Sequence, residues 1–402
     1  MITIGYIQRD YIHRKLGDLD ILFNIHETNP QIYTLNNTGK VLWDYIQKFN
    51  KISDVRRDFA KTYKISIEQA TKDIDSFLKN IIHPSKQVSS RLSENNILQA
   101  LSKTTGLIKA SFEITGKCNL NCIHCYALPE RKKNDLTTEQ IKSVIEKLAE
   151  MGVIYINFTG GECTSRADFE EIYRFAKSKG MFISLITNGT LLVKKNFIKL
   201  FKELPPAFIK ISLYGPDAQS HDSITCIPGS FNATSKSINL LKKNNINFYI
   251  ATLAFKGNFS KLKELKNKAL KIGAPIKFYR RFISRNDGDT LPFNNSIDKT
   301  YYKKFSKLNK NFSVNFLKKP TKSTLSGNRD HMCPAGKSEI NINCEGKVYL
   351  CTLDRRNGVD FLANSKEEII IKLKEKRDKY LKFGSNNTNC PLLINRSDND
   401  SR

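Results

Sequence analysis

Six alternations of a short β-rich run with a helical pattern, spread over residues 106–310, predict an α/β protein. Two flanking regions of different texture predict that this core does not stand alone. Strands then helices precede it, and a cysteine-bearing hairpin stretch follows it. At roughly 150 residues per domain, a chain of 402 residues accommodates two or three such units.

Composition narrows the class. Hydrophobic residues make up 40% of the chain and aromatics 10%, a globular composition rather than a disordered one. The 12 prolines and 20 glycines exclude collagen and low-complexity linkers. No apolar stretch is long enough to span a membrane. The N-terminus, MITIGYIQRDYIHRK, carries charges where a signal peptide would carry its apolar core, so a cytoplasmic chain is expected. The 66 basic residues outnumber the 39 acidic ones, for a net charge of +27. Such an excess favours an anionic partner: nucleic acid, a membrane surface or an acidic peptide. The lysines are spread along the chain, as compositional bias would also leave them. Nine cysteines, all after residue 117, point to a metal or cluster site more than to a disulfide framework.

The first part is residues 1–85. Strands are expected at 2–7, 19–25 and 31–35. Helices follow at 38–49, with Val41, Leu42, Tyr45 and Ile46 at helical spacing, and at 53–63 and 66–82. Three strands followed by three helices make a small winged-helix-like α+β unit. Residues 86–105 are polar and read as a linker. In the core, 106–310, strands are expected at 109–114, 154–158, 182–187, 208–213, 247–253 and 276–282. Helices such as 138–151 and 168–179 lie between them. An open parallel sheet and a partial barrel both fit, and either places chemistry at the carboxyl ends of the strands. The last part, 311–402, contains a hairpin whose strands, 339–343 and 347–350, flank Glu345-Gly346.

The sharpest chemical signal follows the first core strand: Cys118-Asn-Leu-Asn-Cys122-Ile-His-Cys125-Tyr126. Three thiolates on one short loop can each reach a different iron of a [4Fe–4S] cube and leave the fourth iron open. The competing reading is a zinc knuckle with His124 as fourth ligand. Placement at a strand's carboxyl end in a βα repeat argues against it.

The Cys-x3-Cys-x2-Cys spacing resembles the signature of the radical S-adenosylmethionine (SAM) superfamily. The resemblance covers roughly residues 106–310 and implies a partial (β/α)6 barrel. It also implies that the open iron chelates SAM, whose reductive cleavage gives a hydrogen-abstracting 5′-deoxyadenosyl radical. An electron donor such as flavodoxin or ferredoxin is implied with it. Phe158-Thr-Gly160-Gly161-Glu162 then corresponds to the motif that holds the methionine amine. The glycines would let backbone approach the ligand and the carboxylate would accept from an ammonium. Asn188, in Thr187-Asn188-Gly189, and Ser212, in Lys210-Ile-Ser-Leu-Tyr-Gly215, complete the implied SAM site. Cys163 stands where the family has proline, and Tyr214 where it commonly has an acid. The stretch from Ser212 through His221-Asp222 and Cys226-Ile-Pro228-Gly229 is similar to radical SAM enzymes that modify ribosomal peptides, the subtilosin-type thioether maturases among them. Cys226 occupies a position that is glycine there. Cys163 and Cys226 both read as structural.

Near the C-terminus, Cys333, Cys351 and Cys390 are soft ligands about a hairpin and suit an iron–sulfur cluster or zinc. Their spacing resembles the SPASM and twitch extensions of radical SAM enzymes, which implies one auxiliary [4Fe–4S] cluster. Its fourth ligand is left open between Cys344, a substrate thiolate and an empty site. At the other end, Tyr33-Thr-Leu-Asn-Asn-Thr-Gly39-Lys-Val-Leu-Trp43 with the Asp73–Leu78 helical segment resembles the leader-binding domain known from pyrroloquinoline quinone biosynthesis (PqqD-like). That resemblance implies a precursor peptide partner whose leader adds as an extra strand, steered in by positive charge where the leader is acidic.

The sequence therefore predicts a peptide-modifying enzyme that forms thioether crosslinks, with neither nucleic acid nor membrane as partner. The alternatives are a carbon–carbon crosslink or other oxidative change on such a peptide and, in a different class, an iron–sulfur DNA-binding regulator. No helix carries the dense Arg/Lys face that the regulator would need.

Overall fold

A computed structural model describes residues 7–8, 10–16, 19–26, 32–82, 107–280, 282–285, 287–308, 334–352, 355 and 357–383. The chain divides into two compact units, 1–106 and 107–402.

The first unit pairs β1 (Tyr11–Leu16), β2 (Leu19–Asn24) and β3 (Ile32–Leu35) into an antiparallel sheet with β2 in the middle. Helices α1 (Asn37–Lys48), α2 (Ile52–Tyr63) and α3 (Ile67–Ile82) follow. The expectation for the first strand is corrected. Ile7 and Gln8 are helical, residues 2–6 lie outside the described residues, and the strand is Tyr11–Leu16. The apolar run at 2–7 has the better local strand pattern. Pairing overrides it: Tyr11 lies opposite Asn24 and Leu16 opposite Leu19, and His13 Nε2 sits 2.7 Å from Asp20 Oδ1 across the ladder. The residues quoted as PqqD-like have structural jobs. Asn36 caps α1 by accepting from the Gly39 N–H at 2.8 Å. Trp43 is buried with Leu22, Phe59 and Ile74, and the Tyr33 hydroxyl donates to the Ile81 carbonyl at 2.9 Å.

In the second unit, β4 (Lys109–Thr115), β5 (Tyr155–Gly160), β6 (Phe182–Thr187), β7 (Phe208–Ser212), β8 (Phe248–Leu253) and β9 (Ile276–Tyr279) run parallel, side by side in chain order. The helices between them are α4 (Thr138–Glu150), α5 (Phe169–Ser178), α6 (Lys195–Glu203), α7 (Ala218–Thr225), α8 (Ser230–Lys243) and α9 (Leu262–Lys271). α4 opens with a capping box in which Thr137 and Gln140 bond each other's backbone.

One face of these strands is apolar. Phe112, Phe158, Leu185, Ile211 and Ile250 are buried in one core with Val144, Ile172, Phe201 and Leu241 of the helices. The register places the alternate residues together on the other face: Ser111, Asn157, Ser184 and Phe208 in one row, Ile186, Lys210 and Tyr249 in another. That face is largely polar, and Asn157 donates to Ser111 Oγ across it at 3.0 Å. A flat sheet between two helix layers would be apolar on both faces. A polar face is the lumen of a curved sheet, so the structure selects the partial (β/α)6 barrel.

After α10 (Tyr302–Leu308), the chain adds β10 (Glu339–Ile342), β11 (Lys347–Tyr349) and β12 (Val359–Asp360), then α11 (Lys366–Phe383). β10 pairs parallel with β4, and β11 and β12 continue antiparallel. The hairpin expected from the sequence thus extends the barrel sheet to nine strands.

Candidate active site at the carboxyl ends of the strands

The cysteine loop leaves β4 through Gly116 and Lys117. A Cβ on Gly116 would lie 2.3 Å from the Glu130 carbonyl oxygen, so only glycine fits there. Two backbone bonds tether the loop to the end of α7: Asn121 N–H to the Thr225 carbonyl at 2.9 Å and Ile123 N–H to the Ile224 carbonyl at 3.0 Å. Cys118, Cys122 and Cys125 are each half-buried. Burial raises the thiol pKa of Cys118 and Cys122, and repulsion from neighbouring cysteine sulfurs adds to it. Iron coordination would reverse both effects, since a ligating thiol is deprotonated outright. The donor set fits a cluster: three half-buried cysteines on one loop, with Cys118 and Cys125 near enough to Cys122 to raise its pKa. Among the described residues no three His, Cys, Asp or Glu side chains converge as the ligands of a single metal ion would. Ligands to three different corners of a cube need not converge in that way.

His124 does not complete a zinc knuckle. Its ring packs 4.9 Å from the rings of both Tyr214 and Phe255, with Nε2 3.1 Å from the Tyr214 hydroxyl. Burial pulls its pKa down to about 4, so the ring is neutral.

The Gly-Gly-Glu stretch closes against the same loop. Gly161 N–H donates to the Thr115 carbonyl and Glu162 N–H to the Lys117 carbonyl, both at 2.8 Å. Gly160 has φ +128°, and a Cβ on Gly161 would sit 2.2 Å from the Lys117 oxygen. These glycines admit the backbone of Thr115, Gly116 and Lys117, where β4 runs into the cysteine loop. Glu162 is fully buried. Its Oε1 accepts from the Thr164 N–H and hydroxyl at 3.1 and 2.6 Å and from the Thr187 hydroxyl at 2.7 Å; Oε2 accepts from the Asn188 N–H at 2.7 Å. The carboxylate therefore ties the end of β5 to the end of β6, and its unused acceptor capacity lies on Oε2.

Asn188 reaches back to the cysteines: its Nδ2 donates to Asn119 Oδ1 at 2.9 Å and approaches Cys118 Sγ at 3.9 Å. Ser212 ends β7, two residues before Tyr214. Cys163 is wholly buried, with Sγ 3.8 Å from the Ile186 carbonyl oxygen, so it is a core side chain. Cys226 is exposed and caps α7 with φ 57°.

At the other cysteine set, Cys351 is half-buried just beyond β11, while Cys333 and Cys390 lie outside the described residues. Cys344 is buried with Sγ 3.8 Å from Glu130 Oε2, and Glu130, Asp135, Glu113 and Glu345 all raise its pKa after burial itself. Four carboxylates around a thiol disfavour the thiolate that a cluster needs. Two features lay beyond the sequence reading. Arg355 makes two bonds to the buried Glu113 carboxylate, which also accepts from the hydroxyl of Tyr126, the residue after Cys125. His221 is buried beneath Tyr214, with Nδ1 accepting from the Tyr214 N–H at 3.1 Å. The Arg355–Glu113 pair has no local sequence signal, and the stretch that contains His221 gave no sign of its bond to the Tyr214 backbone.

Residues 112–269 match the family model of the radical SAM superfamily. The chain carries a radical SAM domain. Residues 21–82 match the model described as coenzyme PQQ synthesis protein D (PqqD). The chain is 33% identical over 166 residues to an AdoMet-dependent heme synthase of Oleidesulfovibrio alaskensis, covering 41% of this chain and 42% of that protein. It is 28% identical over 272 residues to the antilisterial bacteriocin subtilosin biosynthesis protein AlbA of Bacillus subtilis, covering 66% of this chain and 60% of that one. In both cases the match spans less than two thirds of the relative. Among solved structures, Streptococcus suis SuiB bound to precursor peptide SuiA aligns with TM-score 0.57 at 16% identity, over 90% of this chain and 87% of SuiB. The last likeness establishes the fold. A radical SAM domain implies a [4Fe–4S] cluster with SAM, and the half-buried cysteines at the head of β4 suit that cluster.

Proposed function

We propose that this chain matures a ribosomally synthesised peptide, joining a peptide cysteine sulfur to carbon as a thioether. The observation that carries the reading is the presence of a PqqD-like unit and a radical SAM domain on one chain. The likeness to subtilosin AlbA, which extends beyond the radical SAM match, supports it. In the N-terminal sheet, β1 and β3 each have one edge unpaired within the three-stranded ladder, where a leader would add as a fourth strand.

Bound to SAM, a [4Fe–4S] cluster would supply a radical able to take hydrogen from an unactivated carbon. Cys118, Cys122 and Cys125 hold that cluster. Gly160, Gly161, Glu162, Asn188 and Ser212 shape the SAM site around it. The barrel wall keeps bulk water from the reacting carbon. Cys333, Cys351 and Cys390 hold an auxiliary [4Fe–4S] cluster, and Cys344 stays outside its ligand set. A flavodoxin or ferredoxin delivers the electron.

The test is anaerobic reconstitution with SAM, dithionite and any short cysteine-containing peptide found encoded beside the gene. Expected are 5′-deoxyadenosine, loss of two hydrogens per crosslink, and protection of the crosslinked cysteine from iodoacetamide. Hydrogen loss with every cysteine still alkylated would favour a carbon–carbon crosslink. An unmodified peptide would overturn the reading. Two clusters predict about eight irons per chain, and about four when Cys118, Cys122 and Cys125 are all replaced by alanine.

A further inference from the structure

Arg131, beside the cysteine loop, has no carboxylate partner among the described residues. Arg166, Arg174, Arg285 and Arg355 each face an Asp or Glu within ion-pair distance. Arg131 faces the loop instead. Its Nη1 donates to Asn121 Oδ1 at a long 3.4 Å, and Asn121 lies between Cys118 and Cys122. Its Nε and Nη2 are shut off from solvent, yet no acceptor among the described residues meets them. Buried donors are almost always satisfied, and a charged one left alone is the costlier case.

The position of Arg131 is set by the fold. It belongs to a short 3-10 segment, Leu128–Lys132, that follows the cysteine loop. The Glu130 carbonyl of that segment lies against Gly116, two residues before Cys118. The segment therefore meets the loop at its start, and the arginine side chain bonds it at its middle. Burial raises the thiol pKa of Cys118 and Cys122, and the Arg131 charge is an opposing pull on both. One guanidinium thus acts on two of the three loop sulfurs and has N–H groups to spare. A cube held by three thiolates is a net anion, and reduction adds a further negative charge. A fixed cation beside it favours the reduced state, because net charge, hydrogen bonds to sulfur and exposure set the potential.

We propose that Arg131 donates its free N–H groups to the sulfur of a cluster on Cys118, Cys122 and Cys125 and raises the potential at which that cluster accepts an electron. This rests on the assignment of those cysteines as ligands and goes beyond the maturase reading. One electron passes from an external reductant, which is oxidised, to the iron, which is reduced; no bond is made or broken. Arg131 acts through the cluster and its ligands, so it is a positioning residue.

The test is a potentiometric titration of the reconstituted full chain with dithionite and redox mediators, without SAM, followed by EPR. The loop cluster's signal is the one lost when Cys118, Cys122 and Cys125 are replaced together by alanine. In Arg131→Met we expect the reduced-to-oxidised ratio at a fixed potential to fall at least tenfold, a midpoint lower by about 59 mV or more for a one-electron couple. Arg131→Lys keeps the charge and should stay closer to the parent than to the Met variant. Mere loosening of the loop acts in the opposite direction, because water admitted to the cluster favours the more highly charged reduced state. An unchanged or raised midpoint in Arg131→Met, or an equal fall in Arg131→Lys, would overturn the proposal. Weaker SAM binding in Arg131→Met beside an unmoved midpoint would assign the guanidinium to the methionine carboxylate of SAM and overturn it too. Where Arg131→Met binds no iron, Arg131→Lys decides: iron retained at the parent's level supports the contact, and iron lost there overturns it. Failure of the ligand assignment looks different, because the parent would then show no EPR signal that depends on the three cysteines.

Discussion

Cys226 holds a left-handed backbone at φ 57° without being glycine, and it is the C-cap of α7, the helix end to which the cysteine loop is tied. A side chain there costs about 1 kcal/mol relative to glycine. Cys226→Gly should therefore raise the urea midpoint by an amount equivalent to about 1 kcal/mol with an unchanged m-value. A lowered midpoint would mean that the thiol makes a stabilising contact.

His221 is the second informative residue. Burial lowers its pKa to about 4, against a partial opposing pull from Asp222. The folded pKa lies below the unfolded value of 6.5, so the unfolded chain takes up the proton first as pH falls. The stability contributed by the neutral ring is complete above pH 6.5 and is lost on descending towards pH 4, up to roughly 3 kcal/mol. His221→Asn keeps an acceptor for the Tyr214 N–H but does not titrate. Its melting temperature should fall less steeply than the parent's over that pH window.

Among the elements, the β10–β12 extension is fixed to the barrel by more than its ladder. Arg355 and Glu113 form a buried ion pair whose guanidinium also lies 5.4 Å from the Tyr126 ring. Removing one partner strands a charge in a dry place, so Arg355→Met and Glu113→Gln should each cost about 3–5 kcal/mol. Replacing both together should cost far less than the two added, a coupling that urea denaturation of the four proteins measures directly. Simple additivity would show that the pair does not interact.

This scale also shows what a sequence can carry. The core strands were legible to within a few residues because each is a short run of β-branched and aromatic residues between turn signals. β9 stops at Tyr279 rather than 282 because Phe282 packs into the aromatic cluster with Tyr214 and Phe255 instead of joining the ladder. The three loop cysteines were legible because their spacing is local. The Arg355–Glu113 pair was not, because its members stand 242 positions apart. Nor was the polar lumen, because alternation along a strand identifies two faces and cannot say which one curves inward. Glu162 and Asn188 were legible as candidate site residues, while the hydrogen bonds that join Glu162 to Thr164, Thr187 and Asn188 were not.

For the whole molecule, the proposed division of labour predicts separable losses. The N-terminal unit has no cysteine, and all three loop cysteines lie in the other unit. Deleting residues 1–85 should leave peptide-independent SAM cleavage largely intact. Leader affinity should fall at least tenfold, about 1.4 kcal/mol, and peptide modification with it. A proline placed mid-strand in the leader should mimic the deletion, because it removes a ladder donor. Full turnover of the precursor by the truncated enzyme would mean that the leader docks elsewhere.

The pairing of β10 with β4 has a consequence in time. Each strand from β4 to β9 pairs with the next one made, so that wall can assemble as the chain emerges. The bond from Lys109 to Glu339 must wait for 230 further residues. At ribosomal speeds that delay is roughly 10–50 s. Throughout it, Glu113 has a carboxylate and no guanidinium, and the cysteine loop above it has lost one of its supports. Iron loaded during that interval would meet a looser loop than iron loaded after release, so the moment of metallation relative to translation becomes a variable in making the active protein.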